Sequence, residues 1–177
     1  MERSYKEYLN AITTLVFDVD GVLTNGTIMV TTNGEMYRTM NIKDGYALKT
    51  AVDEGMNVCV ISGGSNEGVR KRLQGLGITD IHLGTHQKTE TLHAYFAEKG
   101  IQPENTLYMG DDIPDFKVMQ EVGLPCCPQD AVPEIKEISK YVSHKKGGDG
   151  CVRDIIEQVL KVQGKWMSEH SGSAKYD

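Results

Sequence analysis

Residues 15–26 read LVFDVDGVLTNG, an apolar run that ends on two aspartates, Asp18 and Asp20, with Gly21 directly after them. In an extended strand, residues i and i+2 point the same way, so both carboxylates leave the strand's carboxyl end together. Gly21 lets the chain turn sharply at that point. Two like charges so placed either cap a turn in solvent or share a cation and do chemistry.

A second acidic run bears on the choice. Residues 107–116, LYMGDDIPDF, repeat the pattern: an apolar stretch, a glycine, then Asp111, Asp112 and Asp115. If the two strands are neighbours, their acids converge on one crevice at the sheet edge where open parallel sheets bind ligands. Four or five carboxylates there would be prohibitive without a cation, and an oxygen-only set points to Mg²⁺. Asp115 also suits the first turn of a helix, where its charge complements the helix dipole.

Two further stretches are chemically suggestive. In residues 58–69, VCVISGGSNEGV, an apolar strand ends at Ser62, Gly63 and Gly64 follow, and Ser65–Asn66 can cap a helix. A hydroxyl and backbone N–H groups presented at a helix start form a phosphate cradle. In residues 83–92, LGTHQKTETL, Lys88 stands near a helix start, and His86 reads as a solvent-facing loop histidine.

Around these stretches the chain alternates short apolar runs with helical patterns, the mark of an α/β fold with a mostly parallel sheet and helices on both faces. Strands are expected at 13–17, 57–61, 81–83 and 106–109, with a weaker one at 122–124. Helices are expected at 45–54, 66–76, 88–99, 113–121 and 132–139, with a last amphipathic one after the glycine-rich run at 146–150. Residues 26–42, GTIMVTTNGEMYRTMNI, break the alternation. Two β-rich arms flank Asn33–Gly34, a strong hairpin signal, so a flap should project from the strand ends. Ile28, Val30, Met36 and Met40 make it too apolar to stand alone in water, and an isolated hairpin is marginal. It should pack on something, another subunit being one candidate.

The 177 residues suit one domain at 1–163 with a polar C-terminal tail at 164–177. The net charge of −6 gives no footprint for nucleic acid. No run approaches the ~20 apolar residues of a membrane span and no signal peptide opens the chain, which points to the cytoplasm. Cys59, Cys126, Cys127 and Cys151 show neither a disulfide framework nor zinc spacing, and read as buried thiols.

Taken together and in this order, DVDGVLT, Ser62, Lys88 and GDDIPD resemble the four motifs of the haloacid dehalogenase superfamily of phosphotransferases, over almost the whole chain. The resemblance implies a Rossmann-like fold with Asp18 as nucleophile and Asp20 as general acid/base. Asp18, the backbone carbonyl of Asp20, and Asp111 would ligate Mg²⁺, with Asp112 and Asp115 behind them or contacting the ion through water. Ser62, the Gly63 amide and Lys88 would hold the phosphoryl oxygens. The motif spacings leave no room for a cap domain of roughly one hundred residues, so this is a capless member.

Within that superfamily DVDGVLT, the Asn-Gly hairpin, NIKDGYALK (41–49) and KKGGDGCVRD (145–154) resemble the 3-deoxy-D-manno-octulosonate 8-phosphate phosphatases of lipopolysaccharide sugar synthesis. That family implies a phosphorylated sugar-acid substrate and a homotetramer whose hairpins form a central barrel. Two positions depart from the pattern. Gly63–Gly64 stands where many relatives have Gly-Arg, and Gln87 stands where an Asp often precedes the lysine. With no arginine at Gly64, contacts to the sugar fall to Lys43, Arg70 or Arg153. A phosphatase of a nine-carbon sugar acid remains open, although relatives of that kind carry a glutamate at the Gly64 position. So does a non-catalytic oligomerising module, although this chain keeps every acidic residue.

Overall fold

In the computed structural model, which describes residues 4–168, the apolar run before Asp18 is an inner strand of a six-stranded sheet. A short helix α1 (Lys6–Leu9) precedes this strand, β1 (Thr14–Phe17). The hairpin follows as β2 (Met29–Val30) and β3 (Met36–Tyr37), then α2 (Ile42–Asp53) and β4 (Asn57–Ser62). The chain continues through α3 (Glu67–Gly75), β5 (Asp80–Leu83), α4 (Lys88–Lys99), β6 (Thr106–Met109) and α5 (Phe116–Met119). It closes with β7 (Leu124–Cys127), α6 (Pro133–Ile138), β8 (Tyr141–Val142) and α7 (Cys151–Val162).

The strand order is β5-β4-β1-β6-β7-β8, and every pairing is parallel. Successive strand residues sort onto two faces, as a period of two requires. Leu15, Phe17, Val58, Val60, Leu107 and Met109 join a core with residues of α2, α3 and α7. Val16, Cys59, Ile61 and Tyr108 join a second core with residues of α4, α5 and α6. Apolar residues follow one another without alternation in Leu15–Phe17, Val58–Ile61 and Leu107–Met109 because both faces are covered. All four cysteines are free and buried.

From β1 the chain builds outward through β4 and β5 on one side, then crosses to β6, β7 and β8 on the other. The direction of winding reverses between β1 and β6, which places the ligand crevice at their carboxyl ends. Asp18 and Gly110 are the first residues beyond those two strands.

Several boundaries differ from the sequence expectation. The helix expected at 113–121 is a 3₁₀ turn, Ile113–Asp115, followed by the four-residue α5; the N–H groups of Asp115 and Phe116 donate three residues back, to the carbonyls of Asp112 and Ile113. The strand expected at 122–124 lies at Leu124–Cys127. α2 begins earlier than 45, because the Asn41 side chain accepts hydrogen bonds from the N–H groups of Lys43 and Asp44 at 2.8 and 3.4 Å. The short α1 and β8 carry no periodicity to find.

The hairpin forms with Met29 opposite Tyr37 and Val30 opposite Met36, and Gly34 takes the positive φ its turn needs. Its paired strands are two residues each, and Met29 and Val30 are 68% and 63% exposed. Met40 is half-buried against the core. The glycine-rich run near the C-terminus packs under the first loop. Gly148 N–H donates to the Val22 carbonyl at 3.0 Å, and a Cβ on Gly147 would stand 1.9 Å from the Gly21 carbonyl oxygen. Beyond α7, Trp166 lies over the Arg153 guanidinium at 4.6 Å; residues 169–177 of the expected tail lie outside the described residues.

Candidate active site

Asp18 leaves β1 at the centre of the crevice, with its N–H donating to the Met109 carbonyl at 3.1 Å. Its Oδ1 accepts the Val19 N–H at 2.7 Å and its Oδ2 lies 3.0 Å from Lys88 Nζ. The turn after it is closed by Val22, Leu23 and Thr24, whose N–H groups all donate to the Val19 carbonyl. Gly21 has φ +86°, and a Cβ there would stand 1.9 Å from Asp111 Oδ2. That glycine lets the two acidic loops approach each other.

Lys88 starts α4 and is buried, with Nζ donating to Asp115 Oδ1 at 2.7 Å as well as facing Asp18. Asp115 has no exposed surface. Its Oδ1 also accepts the Tyr108 hydroxyl at 2.9 Å and its Oδ2 the Asp111 N–H at 3.1 Å. Three donors therefore fix Asp115, and it in turn fixes Lys88. Asp112 is exposed and caps the 3₁₀ turn, accepting the Ile113 N–H at 2.8 Å. Ser62 ends β4, with its Oγ accepting the Gly64 N–H at 3.2 Å.

These residues line one cleft of about 330 Å³: Asp18, Asp20, Ser62, Gly63, Gly64, Lys88 and Asp111 all border it. His86 borders it too, exposed as expected but facing the site and not bulk solvent alone. The three arginine and lysine candidates for sugar contacts are not brought there by a single chain. Lys43 and Arg153 border a separate cleft near α7, and Arg153 donates to Glu157 at 2.7 Å. Arg70 donates to the Ile81 carbonyl at 3.2 Å and pairs with Glu67.

Burial pushes the Asp18 carboxyl up to about 7, with Asp115 adding to it and Lys88 opposing. Burial pushes Asp111 up to about 8, reinforced by Asp18, Asp115 and Asp112. Burial works against the charge on Lys88, but Asp115 and Asp18 outweigh it and raise its pKa. One ammonium thus leaves the cluster short of positive charge. Carboxylate oxygens of Asp18, Asp111 and Asp115 lie within 4.8 Å of one another, and the buried Asp111 Oδ1 has no hydrogen-bond partner. An all-oxygen set with an orphaned acceptor fits a hard divalent cation. Asp115 is the least available of the three, since its three donors already occupy it.

Sequence reasoning missed two participants. Tyr108 reads as one more apolar strand residue, although a buried tyrosine hydroxyl needs a partner, and Asp115 is that partner. Arg38 lies on the expected hairpin, where nothing in the sequence singles it out, yet its guanidinium reaches Asp20, with Nε to Oδ1 at 2.7 Å and Nη2 to Oδ2 at 3.0 Å.

The chain is similar to known proteins in sequence and in fold. Residues 75–155 match the family described as haloacid dehalogenase-like hydrolase. The chain is 37% identical over 160 residues to the 3-deoxy-D-manno-octulosonate 8-phosphate phosphatase KdsC of Salmonella typhi, covering 90% of this chain and 85% of that one. The crystal structure of the Yersinia pestis phosphatase of the same name superposes with a TM-score of 0.89 at 33% identity, covering 93% of this chain and 89% of that one. The Moraxella catarrhalis phosphatase, solved with magnesium, phosphate and KDO, gives a TM-score of 0.88 at 30% identity, covering 92% and 93%. With its capless α/β fold and its acids gathered at the β1–β6 switch point, this chain belongs to the KdsC family of haloacid dehalogenase-like phosphatases.

Proposed function

We propose that the chain is a cytoplasmic, Mg²⁺-dependent phosphatase that hydrolyses 3-deoxy-D-manno-octulosonate 8-phosphate to the free sugar acid and phosphate, in lipopolysaccharide sugar synthesis. The observation that carries the reading is the line Asp18–Lys88–Asp115. A carboxylate at a strand end faces an ammonium that a second, fully buried carboxylate holds in place. That pairing suits a nucleophile beside an anchor for phosphoryl oxygens.

Asp18 attacks phosphorus and forms an aspartyl-phosphate as the ester P–O bond breaks. Asp20 gives its proton to the leaving alkoxide, then takes one from the water that attacks the same phosphorus and releases Asp18. Lys88, the Ser62 hydroxyl and the Gly63 N–H bind the phosphoryl oxygens. Asp18, the Asp20 carbonyl and Asp111 would hold Mg²⁺, whose charge offsets the repulsion between a carboxylate and a phosphate anion. Asp115 keeps Lys88 aimed, and Asp112 shapes the turn that carries Asp115.

The exposed apolar hairpin supports a homotetramer in which hairpins from four copies pack together. Contacts to the sugar from Lys43, Arg70 or Arg153 would then come from a second copy. A steady-state screen of kcat/KM over phosphorylated sugar acids with Mg²⁺ tests the reading, with the eight-carbon substrate expected to lead. Asp18→Asn should abolish phosphate release while leaving fold and oligomeric mass unchanged. Substantial turnover by that variant would remove Asp18 as nucleophile.

A further inference from the structure

Arg38 follows β3 directly, on the returning arm of the hairpin, and its guanidinium turns inward to Asp20. Both carboxylate oxygens accept from it, at 2.7 and 3.0 Å, the arrangement for Asp20 as base; as acid, with the proton on one oxygen, it keeps the hydrogen bond to the other. The Arg38 side chain is 11% exposed, against 38% for Asp20. A two-pronged pair of this kind fixes the plane of the carboxylate as well as its position. Asp20 borders the cleft it shares with Asp18 and Lys88, whereas Arg38 lies behind it, beside Val19, Ser62 and Gly64.

Two features of the second loop suit this pair. A Cβ on Gly64 would stand 3.2 Å from Asp20 Oδ2 and 3.3 Å from Arg38 Nη2. The Gly64 backbone is not in the left-handed region, so what favours glycine there is room for the guanidinium. Two residues on, Asn66 Nδ2 donates to the Met36 carbonyl at 3.0 Å, while its Oδ1 caps α3 through the Val69 N–H at 3.1 Å. The returning arm is thus fastened to the second loop at Met36 and to the first loop at Arg38.

We infer that Arg38 is a positioning residue for Asp20, through which the seating of the hairpin sets the orientation of the acid/base, and that Gly64 is bare to admit it. The inference rests on the reading of Asp20 as acid/base. Whatever displaces the hairpin, loss of its packing partner included, displaces Arg38 and so detunes Asp20 without touching Asp18.

A double-mutant cycle tests this, with kcat and KM measured on the eight-carbon sugar-acid phosphate for Arg38→Met, Asp20→Ala and the pair. Arg38→Met should lower kcat by a sizeable part of the roughly 10²–10⁴-fold that acid–base catalysis provides, with KM little changed. In the Asp20→Ala background the same substitution should change kcat less than about twofold, because its route of action is gone. Arg38→Lys keeps the charge but not the fork and should restore part of the loss. Gly64→Ala, which crowds the pair and removes no charge, should repeat the pattern and covers the case in which Arg38→Met folds poorly. Wild-type kcat in Arg38→Met, or an undiminished penalty without Asp20, overturns the inference alone. Full activity in Asp20→Ala overturns the acid/base reading and this inference with it.

Discussion

At the scale of the residue, the cluster is defined by a shortage of positive charge. Asp18 and Asp111, raised by burial to about 7 and about 8, ionise more readily in the unfolded chain than in the folded one. A carboxyl with a raised folded pKa contributes stability at low pH and loses it as pH rises through the folded value. Metal-free protein should therefore lose stability between about pH 4 and pH 8 from these two groups. Added Mg²⁺ should raise the Tm more at pH 8 than at pH 6, and Asp111→Asn should stabilise the metal-free protein while removing that response. Thermal melts at the two pH values check it, and an equal Mg²⁺ effect at both would contradict it. Much of this cluster was legible in the sequence, because Asp18, Asp20, Ser62 and Asp111 sit at the ends of apolar runs and Lys88 at a helix start. Arg38 and Tyr108 were not, because their partners stand 18 and 7 residues away across a turn of the chain, so that no single helix or strand period relates them.

At the scale of the element, the loops after β1 and β6 and the glycine-rich run before α7 form one packed unit. Gly147 touches the Gly21 carbonyl from below, and Gly21 in turn makes room for Asp111. Gly147→Ala would force that contact apart. It should cost about 1–3 kcal/mol, the usual range for overpacking, and lower kcat by shifting the loop that carries Asp20. A denaturant midpoint equal to wild type would show that the contact is not tight. The strands before the acids were readable from their apolar runs, because a strand buried on both faces has little room for polar residues. The 3₁₀ turn at Ile113–Asp115 was not, because a proline in the first turn suits an α-helix as well and the turn is closed by Asp112, whose side chain and carbonyl accept from Ile113 and Asp115. The late glycines could be read as a turn, but not as the support of a loop more than a hundred residues earlier in the chain.

At the scale of the whole molecule, the fold leaves an apolar flap beside an open cleft. Ile28, Met29, Val30, Met36 and Tyr37 are exposed on that flap, which is the surface through which the proposed homotetramer would pack. Replacing Ile28 and Val30 with glutamate should reduce the sedimentation mass and lower kcat/KM for the sugar phosphate together. A wild-type monomer, or full activity in a dissociated variant, would separate flap from function. The support under the first loop has a further consequence, in the order of events during synthesis. Asp18 and Asp20 leave the ribosome well before Gly147 and Gly148, which brace their turn from more than a hundred residues later, and before the helix α7 that completes one of the two cores. The residues proposed to do the chemistry are made more than a hundred residues before the segment that finishes their geometry.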